Sequence, residues 1–249
     1  MSSFTNSVVL HDYIIHICFD VLAAIAFLVA VYLSWIYRFP QEMTTLADKT
    51  SGRYFASIGL GAVIGSYSLG TLNSFLEGTP SVSRSVLGGL AGAIVAVEVW
   101  KKKRGMQAST GYIYALPLAL MVAIGRIACA MSGLDDDTYG IPTGMKWGWN
   151  FGDGIPRHPV AIYEIISMTV LAIFLFSALR KRAEWYPRIA FYIFAGVYGA
   201  QRFVWEFLKP YPAVFWRLNV FHIVCLSMVV YAFYFATTSK RLQEIKENT

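Results

Sequence analysis

The sequence predicts an all-α polytopic membrane protein of seven transmembrane helices, with the N-terminus outside and the C-terminus cytoplasmic. Three observations carry this. Of the 249 residues, 56% are apolar and only 14% are charged, whereas a soluble protein of this size carries about a quarter charged residues. Apolar runs of roughly 20 residues, the length that crosses a bilayer as a helix, recur along the whole chain. Lys and Arg concentrate in alternate loops, the bias that sets orientation. The chain reads as a single membrane-embedded domain, residues 1–249, without a separate soluble part. Its net charge of +6 does not indicate nucleic acid, because the basic residues are dispersed over short loops that meet anionic lipid head groups.

The first span, Tyr13–Trp35, follows twelve residues without Lys or Arg, so it lacks the basic start of a cleavable signal peptide. Spans two and three, Tyr54–Leu72 and Ser85–Trp100, carry Gly61/Gly65 and Gly88/Gly92. Small residues four apart let helix backbones approach closely. Spans four to seven read as Tyr112–Met131, Val160–Leu179, Arg188–Phe207 and Leu218–Phe235. Trp35, Trp100, Trp185 and Trp216 lie near span ends, where indole rings anchor at the interface. Cys18, Cys129 and Cys225 all fall in apolar runs, so no disulfide framework is implied. The loops after spans one, three and five, with the C-terminus, hold fourteen of the 21 Lys and Arg, among them Lys49 and Lys101–Arg104. The opposite side holds five: Arg84, Lys146, Arg157, Lys209 and Arg217. Arg126 and Arg202 lie inside spans.

One connection is long, Ser132–Pro159, and its Gly, Pro and Trp content suggests a folded cap over the bundle mouth. Below it, ionisable groups converge on one depth. Arg126 and Arg202 each stand five residues before the outer end of their spans, roughly 8 Å below the boundary at about 1.5 Å per residue. Glu164 in span five and His222 in span seven come within a turn of that level, and Glu206 follows Arg202 by one turn. A charge at the membrane centre costs about 2.5 kcal/mol or more unless paired or wet. Two arginines at one level suggest a bound anion, since the guanidinium grips phosphate or carboxylate at two points. The competing reading is internal: Arg126 with Glu164 and Arg202 with Glu206 as salt bridges. Tyr198, four residues before Arg202, is placed to hydrogen-bond a phosphate or to anchor its helix. His158, between two residues of a Pro-rich turn, is a base or a loop brace. Asp20 and His16 read as a core hydrogen bond, Glu98 with Lys101 and Lys102 as a surface pair, and Asp135-Asp136-Asp137 as a solvated turn rather than a cation site.

At these residues the sequence resembles the prolipoprotein diacylglyceryl transferase family. Gly125-Arg126-Ile127 opens the family's signature in the fourth span. Pro156-Arg157-His158-Pro159 followed by Tyr163-Glu164 resembles its PRHPxQxYE block. Tyr198-Gly199-x-x-Arg202-Phe203-x-x-Glu206-Phe207 resembles its sixth-span motif, and Gly88-Gly89-Leu90 sits where the family has HGGL. The resemblance runs from about Gly61 onward. It implies transfer of the diacylglyceryl group of phosphatidylglycerol to the lipobox cysteine thiol of a prolipoprotein signal peptide, in the bacterial plasma (inner) membrane, with release of glycerol phosphate and without cofactor or metal. The family's functional residues that match are Arg126, Tyr198, Arg202 and Glu206. With His222 and His158 they form the expected catalytic set. Arg126, Arg202, Arg157, Glu164, Gly88 and Gly89 form the expected substrate-binding set.

The sequence also departs from the family pattern. GRIGNFINGE becomes GRIACAMSGL, with Cys129 and Ser132 in place of asparagines and Leu134 in place of glutamate, and the HGGL histidine is Leu87. His222 stands where the family usually has Gln early in span seven. The base that deprotonates the acceptor is then one of His222, Glu206 and His158. Two alternatives follow: a related transferase with another acceptor, or an inactive lipid-binding relative, and, from a different class, a small anion transporter.

Overall fold

The computed structural model describes residues 2–38, 52–78, 80–106, 109–134 and 138–247, with side chains described from 14 to 37 in the first helix and up to 238 in the last. Lys49 and the acidic run Asp135–Asp137 lie outside the described residues. Among the described residues seven helices follow one another: α1 (Ser2–Arg38), α2 (Gly52–Leu76), α3 (Val86–Lys103), α4 (Tyr112–Ser132), α5 (Val160–Arg180), α6 (Tyr186–Glu206) and α7 (Val220–Glu247). A two-stranded ribbon, β1 (Trp149–Asn150) and β2 (Pro156–Arg157), separates α4 from α5.

Every apolar run of the sequence forms a helix. Five of them are long and apolar enough to cross a membrane: Ile14–Tyr37, Gly52–Leu76, Tyr112–Ser132, Val160–Arg180 and Val220–Thr238. α3 and α6 fall short of that measure. α3 has only 18 residues and carries Glu98 and three lysines, and α6 carries Arg188, Arg202 and Glu206. Large apolar side chains point outward on the candidate spans, among them Leu28, Leu60, Val170 and Phe233, each more than 60% exposed. Apolar surface of that extent suits lipid rather than water.

The chain groups into two compact units, each discontinuous in sequence. The first is Met1–Tyr37, Ile113–Ala183 and Val204–Pro210, and the second is Arg38–Tyr112, Glu184–Phe203 and Tyr211–Thr249. In the second unit α2 and α3 lie against each other along the glycines read from the sequence. A Cβ added at Gly61 would stand 2.5 Å from the Gly92 carbonyl oxygen, and Gly65 faces Gly88 in the same way. Ser85 starts α3, its side chain accepting from the Gly88 amide at 3.2 Å. Gly199 of α6 repeats the device against the Cys225 carbonyl of α7.

Three sequence expectations are corrected. Glu98 and Lys101 do pair, at 3.0 Å, but not at the surface: Lys101 is buried, and the Tyr231 hydroxyl donates to Glu98 at 2.8 Å. Asp20 is exposed rather than in a core, and His16 meets Ser132 Oγ at 3.1 Å across to α4. Trp100 is buried against Tyr54, with the Arg104 guanidinium 5.2 Å from its ring, instead of lying at an open span end.

Candidate functional site: a buried charge array under a folded cap

Within the first unit four charged side chains meet. Arg126 comes from the last two turns of α4 and Glu164 from the start of α5, while Glu206 and Lys209 come from the end of α6 and the turn beyond it. Pro159 sets where α5 begins, since proline is accommodated at a helix start but not inside one. Counting from there, Val160, Ala161, Glu164, Met168 and Leu171 share the buried face at helical spacing, so Glu164 occupies a core register. It is fully buried.

Arg126 pairs through Nε with Glu164 Oε2. Lys209 Nζ donates to Glu164 Oε1 at 3.2 Å and approaches Glu206 Oε2 at 3.8 Å. The charges thus alternate as Arg126–Glu164–Lys209–Glu206, with all side chains but that of Arg126 at most 1% exposed and that one 10%. Removing an ion from water costs several kcal/mol unless an opposite charge and hydrogen bonds replace the solvent. Alternation supplies that replacement for each member. The internal reading of Arg126 with Glu164 is the arrangement observed, and Lys209 stands beside Glu206.

Lys209 reaches this depth because its backbone is tethered. The preceding carbonyl, Leu208 O, accepts from the Ile141 amide at 2.7 Å, so the turn after α6 is bound to the cap. The cap is the predicted folded connection. β1 and β2 pair antiparallel, Trp149 opposite Arg157 and Asn150 opposite Pro156. Asn150 Oδ1 accepts from the Gly152 and Gly154 amides at 2.9 and 3.0 Å and closes the turn, whose positive φ values of 110° and 77° favour glycine at both positions. Arg157 donates to Asp153 at 2.7 Å and lies over the Tyr139 ring at 4.9 Å. The Arg157 guanidinium holds the Asp153 carboxyl below the usual carboxylate range. His158 acts as a brace: its amide donates to Ile141 O at 3.1 Å and its Nδ1 lies 3.3 Å from the Tyr163 hydroxyl. Tyr163 also receives the Trp147 indole N–H at 3.1 Å and packs on Trp205, so the residue next to Glu164 locks the cap onto α5.

In the second unit, Arg202 lies with its guanidinium 5.7 Å from the Phe221 ring. The neighbouring His222 is buried, its Nδ1 2.8 Å from Asn219 Oδ1, and Phe203 meets its ring edge-on at 5.0 Å. Tyr198 is fully buried and stacks on Phe194. Gly88 and Gly89 face α2, where a Cβ at Gly88 would meet the Gly65 carbonyl, so both serve helix packing.

Of the site residues expected from sequence, the structure brings Arg126, Glu164 and Glu206 into one array. It sets Arg157 and His158 in the cap, and places Arg202, His222 and Tyr198 on α6 and α7 of the second unit. Lys209 was missed, having been assigned to an outer loop. The signal that points to it is its spacing of three from Glu206 at a helix end. The positions that depart from the family pattern are also occupied specifically. Cys129 Sγ lies 3.5 Å from Arg126 Nη1, Ser132 meets His16, and Leu87 is buried in helix packing. Among the described residues no group of three or more His, Cys, Asp and Glu side chains is arranged to hold a metal.

Residues 15–238 match the family described as prolipoprotein diacylglyceryl transferase. A phosphatidylglycerol–prolipoprotein diacylglyceryl transferase of Polynucleobacter necessarius is 26% identical over 231 residues, covering 84% of this chain and 80% of its own length. Proteins of the same description from Bordetella parapertussis and Geobacter sulfurreducens are 35% identical over 132 residues and 32% identical over 126 residues. Those alignments span 49% of this chain and 47% and 46% of the relatives. The chain is a membrane-helical member of the prolipoprotein diacylglyceryl transferase family.

Proposed function

We propose that the chain transfers the diacylglyceryl group of phosphatidylglycerol to the cysteine thiol of a prolipoprotein signal peptide at a bacterial plasma membrane. It would do so as one membrane-embedded domain of seven spans, with its N-terminus outside. The observation that carries this is the buried Arg126–Glu164–Lys209–Glu206 array in a chain of this family.

The reaction forms a bond between the acceptor sulfur and the terminal glycerol carbon of the lipid. The bond from that carbon to the phosphodiester oxygen breaks, and its electron pair leaves on glycerol phosphate. Glu164 fixes the orientation of Arg126, and the charge building on the departing phosphate meets a preorganised cation. Lys209 adds positive charge for the same anion, and the family resemblance supports a substrate-binding role for Arg202. The acceptor must react as thiolate. Its proton passes to Glu206, His158 or His222, and Tyr198 supports the helix that carries Arg202 and Glu206.

The test is direct. Purified protein with phosphatidylglycerol vesicles and a lipobox peptide is expected to raise the peptide mass by one diacylglyceryl unit. An unchanged peptide over intact lipid contradicts the proposal. A second reading, the same lipid chemistry with another acceptor, draws on Leu87, Cys129 and Ser132 at the family's polar positions. Lipid consumption without modification of the peptide would favour it.

A further inference from the structure

Gln201 is a polar side chain that the mechanism above leaves unused. It lies in the second unit, immediately before Arg202, at a position the family's sixth-span motif leaves open. The residue is half-buried, and both polar atoms of its amide, Oε1 and Nε2, are buried. Among the described residues neither atom has a hydrogen-bond partner. Buried polar groups are nearly always hydrogen-bonded, and inside a bilayer no bulk water stands in for a partner. An amide bonded at neither end within the protein calls for a ligand that brings both a donor and an acceptor. From this amide beside Arg202 we infer that Gln201 reads the head group of the lipid. Of the two adjacent hydroxyls on its terminal glycerol, one donates to Oε1 and the other accepts from Nε2. The inference rests on the transferase reading above, with Arg202 as a substrate-binding residue.

Three properties select this occupant. The first is chemistry. The amide nitrogen donates and the amide oxygen accepts, and a pair of neighbouring hydroxyls complements both. An ammonium head group only donates, an ester carbonyl only accepts, and an acyl chain does neither. The second is position. Consecutive Cα atoms are about 3.8 Å apart, and the head-group glycerol is joined to the phosphate through a single oxygen. A phosphate held at Arg202 therefore brings the glycerol within reach of the Gln201 side chain. The third is access. Val197, one turn earlier on the same face of α6, is 38% exposed, and Ala200 is exposed as well. That face is apolar and open to the bilayer, the side from which a phospholipid arrives. A site built to bond hydroxyls rejects an analogue that lacks them, because its own polar groups then stay unpaired.

The experiment has two arms. In the first, transfer to a lipobox peptide is measured with phosphatidylglycerol and with phosphatidylpropanol, which has the same charge and acyl chains but no head-group hydroxyl. Wild type is expected to favour phosphatidylglycerol at least tenfold in kcat/KM. Gln201→Met, similar in length but without the amide, is expected to lose about tenfold on phosphatidylglycerol and to stay within twofold on phosphatidylpropanol. Equal losses on both lipids, or none, overturn the inference. The second arm follows thermal unfolding of delipidated protein in detergent. Without lipid, Gln201→Met is expected to unfold at the wild-type temperature or higher, since the amide has no protein partner to lose. A lower temperature, or failure to fold, shows that the amide holds the fold and overturns the inference. Added phosphatidylglycerol is expected to raise the wild-type unfolding temperature more than phosphatidylpropanol does, and the two lipids to act alike on the variant. If no peptide is modified while this difference in stabilisation is seen in wild type and lost in the variant, the transfer reading fails and the head-group reading stands. If transfer proceeds equally from both lipids and they stabilise wild type equally, the head-group reading fails and the transfer reading stands.

Discussion

Two glutamates stand inside apolar helices of this protein, Glu98 on α3 and Glu164 on α5, and they are neutralised in different ways. Glu98 takes its cation from its own helix, Lys101 three residues on at 3.0 Å, with the Tyr231 hydroxyl as a supplementary donor. Glu164 takes its cations from α4 and from the turn after α6, and shares Lys209 with a second carboxylate. A local pair forms wherever a helix forms. An array gathered from distant segments requires the whole unit to be folded, and an ion pair replaced by apolar residues is often no less stable. Stability alone therefore gives little reason to assemble the Glu164 array. A task at that position does, and the same reasoning leaves the Glu98 pair as a packing element.

This contrast can be broken or sharpened by substitution. The largest effect is expected at Glu164. Glu164→Ala leaves Arg126 and Lys209 buried without their shared carboxylate, which costs about 3–5 kcal/mol. It should remove transfer and lower the thermal unfolding temperature in detergent together. Next is Lys209. Lys209→Met should lower transfer about tenfold, in line with the roughly 1.5–3 kcal/mol of a hydrogen bond to a charged group, while Lys209→Arg retains most activity. At the comparison site, Tyr231→Phe should cost about 1 kcal/mol of stability and leave transfer within twofold.

The smallest effect belongs to the cap. The Asp153 carboxyl is lowered from 3.8 by the Arg157 hydrogen bond. A depressed carboxyl stabilises the fold above its unfolded value, and this contribution fades as pH falls through the lowered folded value. Asp153→Asn should therefore slightly lower the stability of the cap near neutral pH, leave it unchanged at the acid end, and so flatten the acid limb of a cap-unfolding curve read by Trp fluorescence.

Much of this was legible in the sequence, for identifiable reasons. Long apolar runs have few ways to fold in lipid, so a helix was expected at each of the seven described; α2 to α6 agree within about four residues, while α1 starts eleven residues before the expected span and α7 ends twelve residues beyond it. The glycine seam of α2 and α3 was visible because only small residues permit that approach. Arg126 and Glu164 stood out as charges inside apolar runs, and their pairing was one of two readings kept open. Lys209 was not legible, because its depth depends on a backbone bond from Leu208 to Ile141 in the distant cap. Asp20 was misplaced because an apolar run does not tell which helix face its neighbours cover. The ribbon of the cap was unreadable because two-residue strands have no period to detect. Both the burial of Lys101 and the Tyr231 donor come from tertiary packing, which charge spacing on α3 does not encode.

The most direct test compares the two clusters in one assay, release of glycerol phosphate from phosphatidylglycerol vesicles in the presence of a lipobox peptide. Arg126→Ala is expected to slow release about 100-fold or more, the scale of losing a preorganised charge at a transition state, and Glu98→Gln to remain within twofold of wild type. Equal rates for the two variants would contradict the assignment of the chemistry to the Arg126–Glu164 array.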